Sequence, residues 1–274
     1  MPRITTADGT EIFVQDWGSG PPVVLIHGWP LNADMWEYQV PALLEAGMRV
    51  VAYDRRGFGR SSQPGTGYEY DTLADDLRAV IEGLRLDGAA IVGFSMGGGE
   101  VARYMSRHGG AGVSRAVLMS AVTPSLAQSA ANPEGVPRAE VEKILDGLAK
   151  DRPHFLAAFG KQFFGAGPLS FSISSEMLQW TLMLALQGSS LATRRCVTAF
   201  AETDFGADMA AFRVPTLVMH GDGDAIVPIG ATGRRAARMI AGARLVEYPG
   251  ASHAVFYTER ERVNADLVGF LRGG

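Results

Sequence analysis

Ser95 lies in the pentapeptide GFSMG, residues 93–97, directly after the apolar run AAIVGF and directly before a glycine-rich stretch that continues GGEVARY. A serine between two glycines, where a buried strand should pass into a helix, has the G-x-S-x-G spacing of a nucleophile elbow. The glycines have a steric task, because so abrupt a turn leaves no space for Cβ atoms beside a serine held in an unfavourable backbone region. The amide of Met96 falls at the start of the following helix, where free N–H groups and the helix dipole favour a developing negative charge. The competing reading is an ordinary glycine-rich turn.

A serine hydroxyl attacks poorly near neutral pH, so an elbow calls for a histidine base and a carboxylate to orient it. Both follow in the order Ser, Asp, His. The apolar run in LVMHGDGDAIVP ends in a loop holding Asp222 and Asp224, and VEYPGASHAVF ends in a loop holding His253. Asp224 is preferred over Asp222 because it sits farther into its loop. His27 and His220 adjoin glycines at strand ends and are expected to hold loops together, whereas His108 and His154 fall in helical stretches and are expected to be solvated.

Acyl transfer also needs a second oxyanion donor, and the turn IHGWPL offers the backbone N–H of Trp29 beside that of Met96, with the indole as part of the pocket wall. Pro30 has no N–H and restricts the residue before it, so it would fix the direction of the Trp29 carbonyl, which could then accept a hydrogen bond from an incoming nucleophile. A plain turn proline is an equal reading. The pocket is expected to be lined by Trp29, Pro30, Phe94, Val122, Leu126, Ile144, Phe159, Phe163, Phe200, Ile226 and Ile229; the phenylalanines could equally be core. DRRGFGRS, residues 54–61, lacks the remaining residues of a dinucleotide fingerprint or P-loop and reads as a structural loop at the sheet edge. No His, Cys, Asp or Glu cluster has metal-ligand spacing, so no metal is expected.

The elements that must position these residues alternate. ITTADGTEIFVQDWG reads as an opening hairpin around Asp8-Gly9. VVLI, MRVVAY, AAIVGF and RAVLMSA have the valine and isoleucine content of strands covered on both faces. Between them DTLADDLRAVIEGLRL puts Leu73, Leu77, Val80, Ile81 and Leu84 on one helical face, with Asp71 as a candidate N-cap. From Pro124 to Asp208 helical patterns replace strands, and the βα rhythm then resumes, with a capping box expected at Thr258 and Glu261. The pattern predicts an α/β fold with a mostly parallel central sheet flanked by helices, its core formed by residues 1–123 and 209–274 and interrupted by a helical cap, 124–208.

The 274 residues suffice for one large core, and 29 acidic against 25 basic residues leave a net charge of −4, no footprint for nucleic acid or anionic lipid. No apolar run reaches the length of a membrane span, and the start MPRITTADGT has no secretory pattern, which points to the cytoplasm. The one cysteine, Cys196, can form no internal disulfide and reads as a structural thiol.

Taken together, HGWPL, DRRGFGRSSQP, GFSMGGGEVARY, NPEGVP, AFAETDF and HGDGDAIVP resemble the cofactor-free bacterial haloperoxidases and aryl esterases of the α/β-hydrolase superfamily, nearly end to end. The resemblance implies that fold, a Ser95–Asp224–His253 triad, oxyanion donors at Trp29 and Met96, no prosthetic group and a trimer-based homo-oligomer. It implies hydrolysis of small esters, with hydrogen peroxide as a co-substrate that turns esters or carboxylic acids into peracids, and Pro30 as a feature of members that lean toward perhydrolysis. Aromatic pocket positions of some relatives correspond to Leu126, Ile144 and Ile229. Opening of strained lactams is an alternative activity, and a non-enzymatic ligand receptor on the same scaffold is another.

Overall fold

The computed structural model describes residues 2–166 and 173–273. Its strands are β1 (Arg3–Thr5), β2 (Glu11–Trp17), β3 (Pro22–Ile26), β4 (Arg49–Tyr53), β5 (Ala89–Phe94), β6 (Val113–Met119), β7 (Thr216–Gly221) and β8 (Arg244–Tyr248). Its helices are α1 (Gln39–Glu45), α2 (Tyr70–Gly83), α3 (Met96–Arg107), α4 (Arg138–Phe163), α5 (Ser175–Leu186), α6 (Ser190–Glu202), α7 (Gly206–Met209), α8 (Gly233–Met239), α9 (Val255–Thr258) and α10 (Arg260–Leu271).

The strands form one eight-stranded sheet in the order β1-β2-β4-β3-β5-β6-β7-β8. The opening hairpin turns through Gly9, at φ 83°, and β2 runs antiparallel to β4; from β4 to β8 every neighbour is parallel. Every residue of β5 and β7 is buried, as strands covered on both faces must be. Ser95, Asp224 and His253 all follow the carboxyl ends of strands β5, β7 and β8, the end of an open parallel sheet where ligands bind.

The helical face predicted for α2 is the one that packs: Leu73, Leu77, Val80 and Ile81 are buried, and Leu84 is half-buried. Each fully buried leucine of such a stripe contributes on the order of 1.5–3 kcal/mol. Two expected caps are absent. The N-cap position of α2 is Glu69, and Asp71 lies inside the helix, its carboxylate taken by Arg103 and Arg107 of α3. Thr258 ends α9 and donates its hydroxyl back to the Ala254 carbonyl, so it forms no capping box with Glu261.

Helices α4, α5 and α6 lie between β6 and β7 in the chain. The first of them breaks at Asp151, whose φ of −157° and ψ of 88° are extended. The Asp151 carboxylate then caps the amide of His154, which places Pro153 in the first turn of the second half, where its missing N–H costs no hydrogen bond. Among the described residues no helix is long and apolar enough to cross a membrane.

Cys196 sits on the inner side of α6, fully buried, and burial pushes its thiol up to about 12. The native protein should therefore react with Ellman's reagent far more slowly than the protein unfolded in guanidinium; equal rates in both states would contradict this burial.

Candidate active site

The turn from β5 into α3 is completed within one residue. Ser95 has φ 53° and ψ −116°, outside the regions open to most L-residues, at a cost on the order of 1–3 kcal/mol. Neighbouring backbone holds it there: its amide donates to the Met119 carbonyl at 2.9 Å, and its carbonyl accepts from Gly98 at 3.0 Å and Val122 at 3.3 Å. The flanking glycines are needed for close approach. A Cβ on Gly93 would run into the Gly97 carbonyl, and one on Gly97 would lie 2.5 Å from the Ile26 carbonyl and 3.0 Å from that of His27.

His253 reaches this serine from the loop after β8. Its Nε2 lies 3.0 Å from Ser95 Oγ, and its Nδ1 lies 2.6 Å from Asp224 Oδ2. The carboxylate next to Nδ1 selects the tautomer in which Nδ1–H donates, leaving Nε2 to accept from the serine hydroxyl. All three residues are buried. Asp224 Oδ1 accepts the amides of Ile226 at 2.9 Å and Val227 at 2.8 Å, so the acid is fixed by its own loop. Burial would raise its carboxyl, but electrostatic attraction to the adjacent His253 and hydrogen bonds from His220 and His253 outweigh that and hold it well below the usual carboxylate range. Asp222, the less favoured aspartate, is exposed and caps the Gly250 amide, closing the turn that leads to His253.

Trp29 follows β3 with only 4% of its surface exposed, and its indole N–H donates to the Thr193 carbonyl of α6 at 2.9 Å. Phe159 of α4 and Phe200 of α6 meet that indole edge-on. With Ser95, His253, Val122, Leu126, Ile144 and Ile226 they line a cavity of about 40 Å³ that is almost wholly apolar. An outer cavity of about 440 Å³ shares Val136, Ile144, Phe159 and Ile226 with it as a common wall, and carries Glu140, Lys143 and Gln162.

Four residues expected in the pocket lie elsewhere. Phe94 is fully buried with its ring 4.9 Å from the His253 ring, and Phe163 meets the same imidazole edge-on at 5.2 Å; both pack against the imidazole instead of lining the cavity. Pro30 lines a separate small cavity with Leu31, Leu156 and Phe163. Ile229 is buried in the turn into α8, its carbonyl accepting the amides of Thr232 and Arg234. The cavity also takes in Val136, Val141 and Val227, which sequence reasoning missed because isolated valines carry no signal beyond core packing.

The remaining histidines divide by burial. His27 and His220 are fully buried and do tie loops, His27 to Arg55 and His220 to Val227 and Asp224. His154 is exposed, but His108 is not solvated as expected: its side chain is 10% exposed and lies against Asp75. DRRGFGRS is no edge loop either, since it follows β4, flanked on both sides by β2 and β3, and its Arg55 and Arg56 are buried. Among the described residues no cluster of His, Cys, Asp and Glu could hold a metal ion.

A family model for the alpha/beta hydrolase fold matches residues 21–260. The chain is 44% identical over 99% of both lengths to a non-heme haloperoxidase of Rhodococcus erythropolis. It is 38% identical, over 99% of its own length and all of the relative's, to a bifunctional esterase/perhydrolase of Acinetobacter calcoaceticus. Among solved structures, a bromoperoxidase from Bacillus anthracis superposes with a TM-score of 0.95 at 43% identity, covering 99% of this chain and 100% of the other.

Gly93→Ala should destabilise the protein by about 1–3 kcal/mol, because the added Cβ meets backbone that cannot move aside. A urea midpoint equal to that of the wild type would show the elbow to be looser than this geometry requires.

Proposed function

The chain belongs to the non-heme haloperoxidase group of the α/β-hydrolase family, and from that membership we propose that it is a serine hydrolase of small carboxylic esters that also forms peracids from hydrogen peroxide. The observation that carries this reading is the relay from Asp224 through His253 to Ser95, with spacings of 2.6 and 3.0 Å, opening on an apolar cavity.

In the proposed reaction Ser95 Oγ attacks the ester carbonyl while His253 Nε2 takes its proton and then passes it to the departing alcohol. Asp224 holds the imidazole and stabilises its charged form. The amides of Trp29 and Met96 receive the oxyanion, the Met96 donor strengthened by its place at the head of α3. Water then attacks the acyl-enzyme to release the acid, or hydrogen peroxide attacks it to release the peracid. The relative with both esterase and perhydrolase in its name supports the second outcome. Pro30 supports it too, by limiting the conformations of Trp29 and so the direction of a carbonyl that can accept from the incoming peroxide.

Ser95→Ala should abolish ester turnover and covalent labelling by an organophosphate; a labelled Ser95→Ala protein would refute the nucleophile. Asp224→Asn should lower kcat by about 10⁴, the scale on which a serine triad depends on its orienting carboxylate, while Asp222→Asn stays near wild type. The small inner cavity favours short acyl chains, so kcat/KM for p-nitrophenyl esters should fall steadily beyond butyrate, and a preference for octanoate would contradict it. Pro30→Leu should lower the ratio of perhydrolysis to hydrolysis, measured with and without peroxide.

A further inference from the structure

Behind the loop that carries Trp29 lies a buried ion pair that the proposed chemistry does not use. Arg55, in the loop after β4, points its guanidinium at the Glu100 carboxylate of α3, and both side chains are 1% exposed. The other oxygen of Glu100 accepts the Tyr53 hydroxyl at 2.7 Å. A guanidinium stays charged at any ordinary pH and a buried one needs an anion, which Glu100 supplies; it holds Arg55 above its usual range against the opposing effect of burial.

The guanidinium has a second partner. Its Nη2 donates to the His27 carbonyl at 2.6 Å, and the Arg55 amide donates to His27 Nε2 at 2.9 Å. With Nε2 accepting, the ring proton is on Nδ1, which donates to the Gly28 carbonyl at 2.9 Å. Burial, and then the Arg55 charge, keep His27 neutral, as this arrangement requires. Both carbonyls of the segment leading to Trp29 are thus tied down, one by Arg55 itself and one by the imidazole that Arg55 holds. Glu100 follows Met96 by four residues on α3, one turn along the same face. The Tyr70 hydroxyl donates to the Met96 carbonyl at 3.2 Å from the side of α2.

We propose that Arg55 and Glu100 are positioning residues: their buried pair couples the backbone presenting the Trp29 amide to the helix presenting the Met96 amide, and so fixes the spacing of the oxyanion site. The inference rests on the reading of those two amides as oxyanion donors. Neither side chain touches substrate. Their effect falls where the tetrahedral charge forms, because donors displaced by a fraction of an ångström still admit the ester but hold its oxyanion less well. Lysine at position 55 keeps the charge but not the planar fork that serves Glu100 and the His27 carbonyl together.

The test compares wild type with Arg55→Lys, Glu100→Gln and Tyr53→Phe on p-nitrophenyl acetate, with enzyme concentration set by organophosphate titration so that only intact sites count. Arg55→Lys should lose about ten- to a hundredfold in kcat per titrated site with KM within about twofold, and the other two should lose less. Inhibition by a boronic acid, whose tetrahedral serine adduct mimics the oxyanion, should weaken by the same factor as kcat in each variant. Unchanged kcat per site, or a fall in kcat with boronate affinity intact, overturns the proposal. Should the Arg55 and Glu100 variants leave no titratable protein, Tyr53→Phe decides it alone: a matched loss of kcat and boronate affinity supports the clamp, and none refutes it. A wild-type protein that neither turns over esters nor takes the label would instead refute the hydrolase reading itself.

Discussion

The backbone of Ser95 is held where side-chain-bearing residues rarely sit, and the rest of the site is arranged around that one conformation. A gentler turn would lower the hydroxyl into the sheet and carry the first amides of α3 out of reach of the β3 loop. The strain persists because parallel strands on both sides fix β5, and because Gly93 and Gly97 let the start of α3 lie directly against the ends of β5 and β3. Stability invested in sheet pairing thus maintains a geometry that local preference opposes.

Two buried charge systems flank this elbow, and they differ in kind. Asp224 is an anion satisfied by two amides of its own loop and two imidazoles, an arrangement that keeps it ionised and aimed at His253. Arg55 and Glu100 form a pair of opposite charges whose leftover hydrogen bonds go to His27 and Tyr53. The first lies at the ends of β7 and β8, where of its side chains only His253 lines the cavity; the second lies behind the loop between β3 and β4. Replacing such a pair with apolar groups is often neutral or favourable for stability, so stability alone gives little reason to keep it. Its geometric ties to the Trp29 loop and to α3 supply a better one.

Particular residues mark how far the sequence could be read. β5 occupies the six residues expected of it, because an apolar run closed by glycine and a polar residue has one economical placement. Asp224, not Asp222, lies against His253 Nδ1, since the extra residues carry it past the strand end. Phe163 was not distinguishable from Phe159 and Phe200: all are large and apolar, and which of them meets the cavity depends on how α4 and α6 lie across the sheet. Asp71 has the composition of a cap, but two arginines from a different helix claim its carboxylate.

Order along the chain determined the strand and helix sequence, the elbow and the Ser, Asp, His succession, since each depends on residue type, short-range periodicity or simple position. Tertiary structure decided the rest: that β4 lies between β2 and β3, that Arg55 meets Glu100 and His27, and that three valines complete the cavity. These facts depend on pairings between segments many residues apart. A charged or apolar side chain carries no mark of which distant surface will enclose it, so its partner is fixed only when the sheet closes and the helices settle across it.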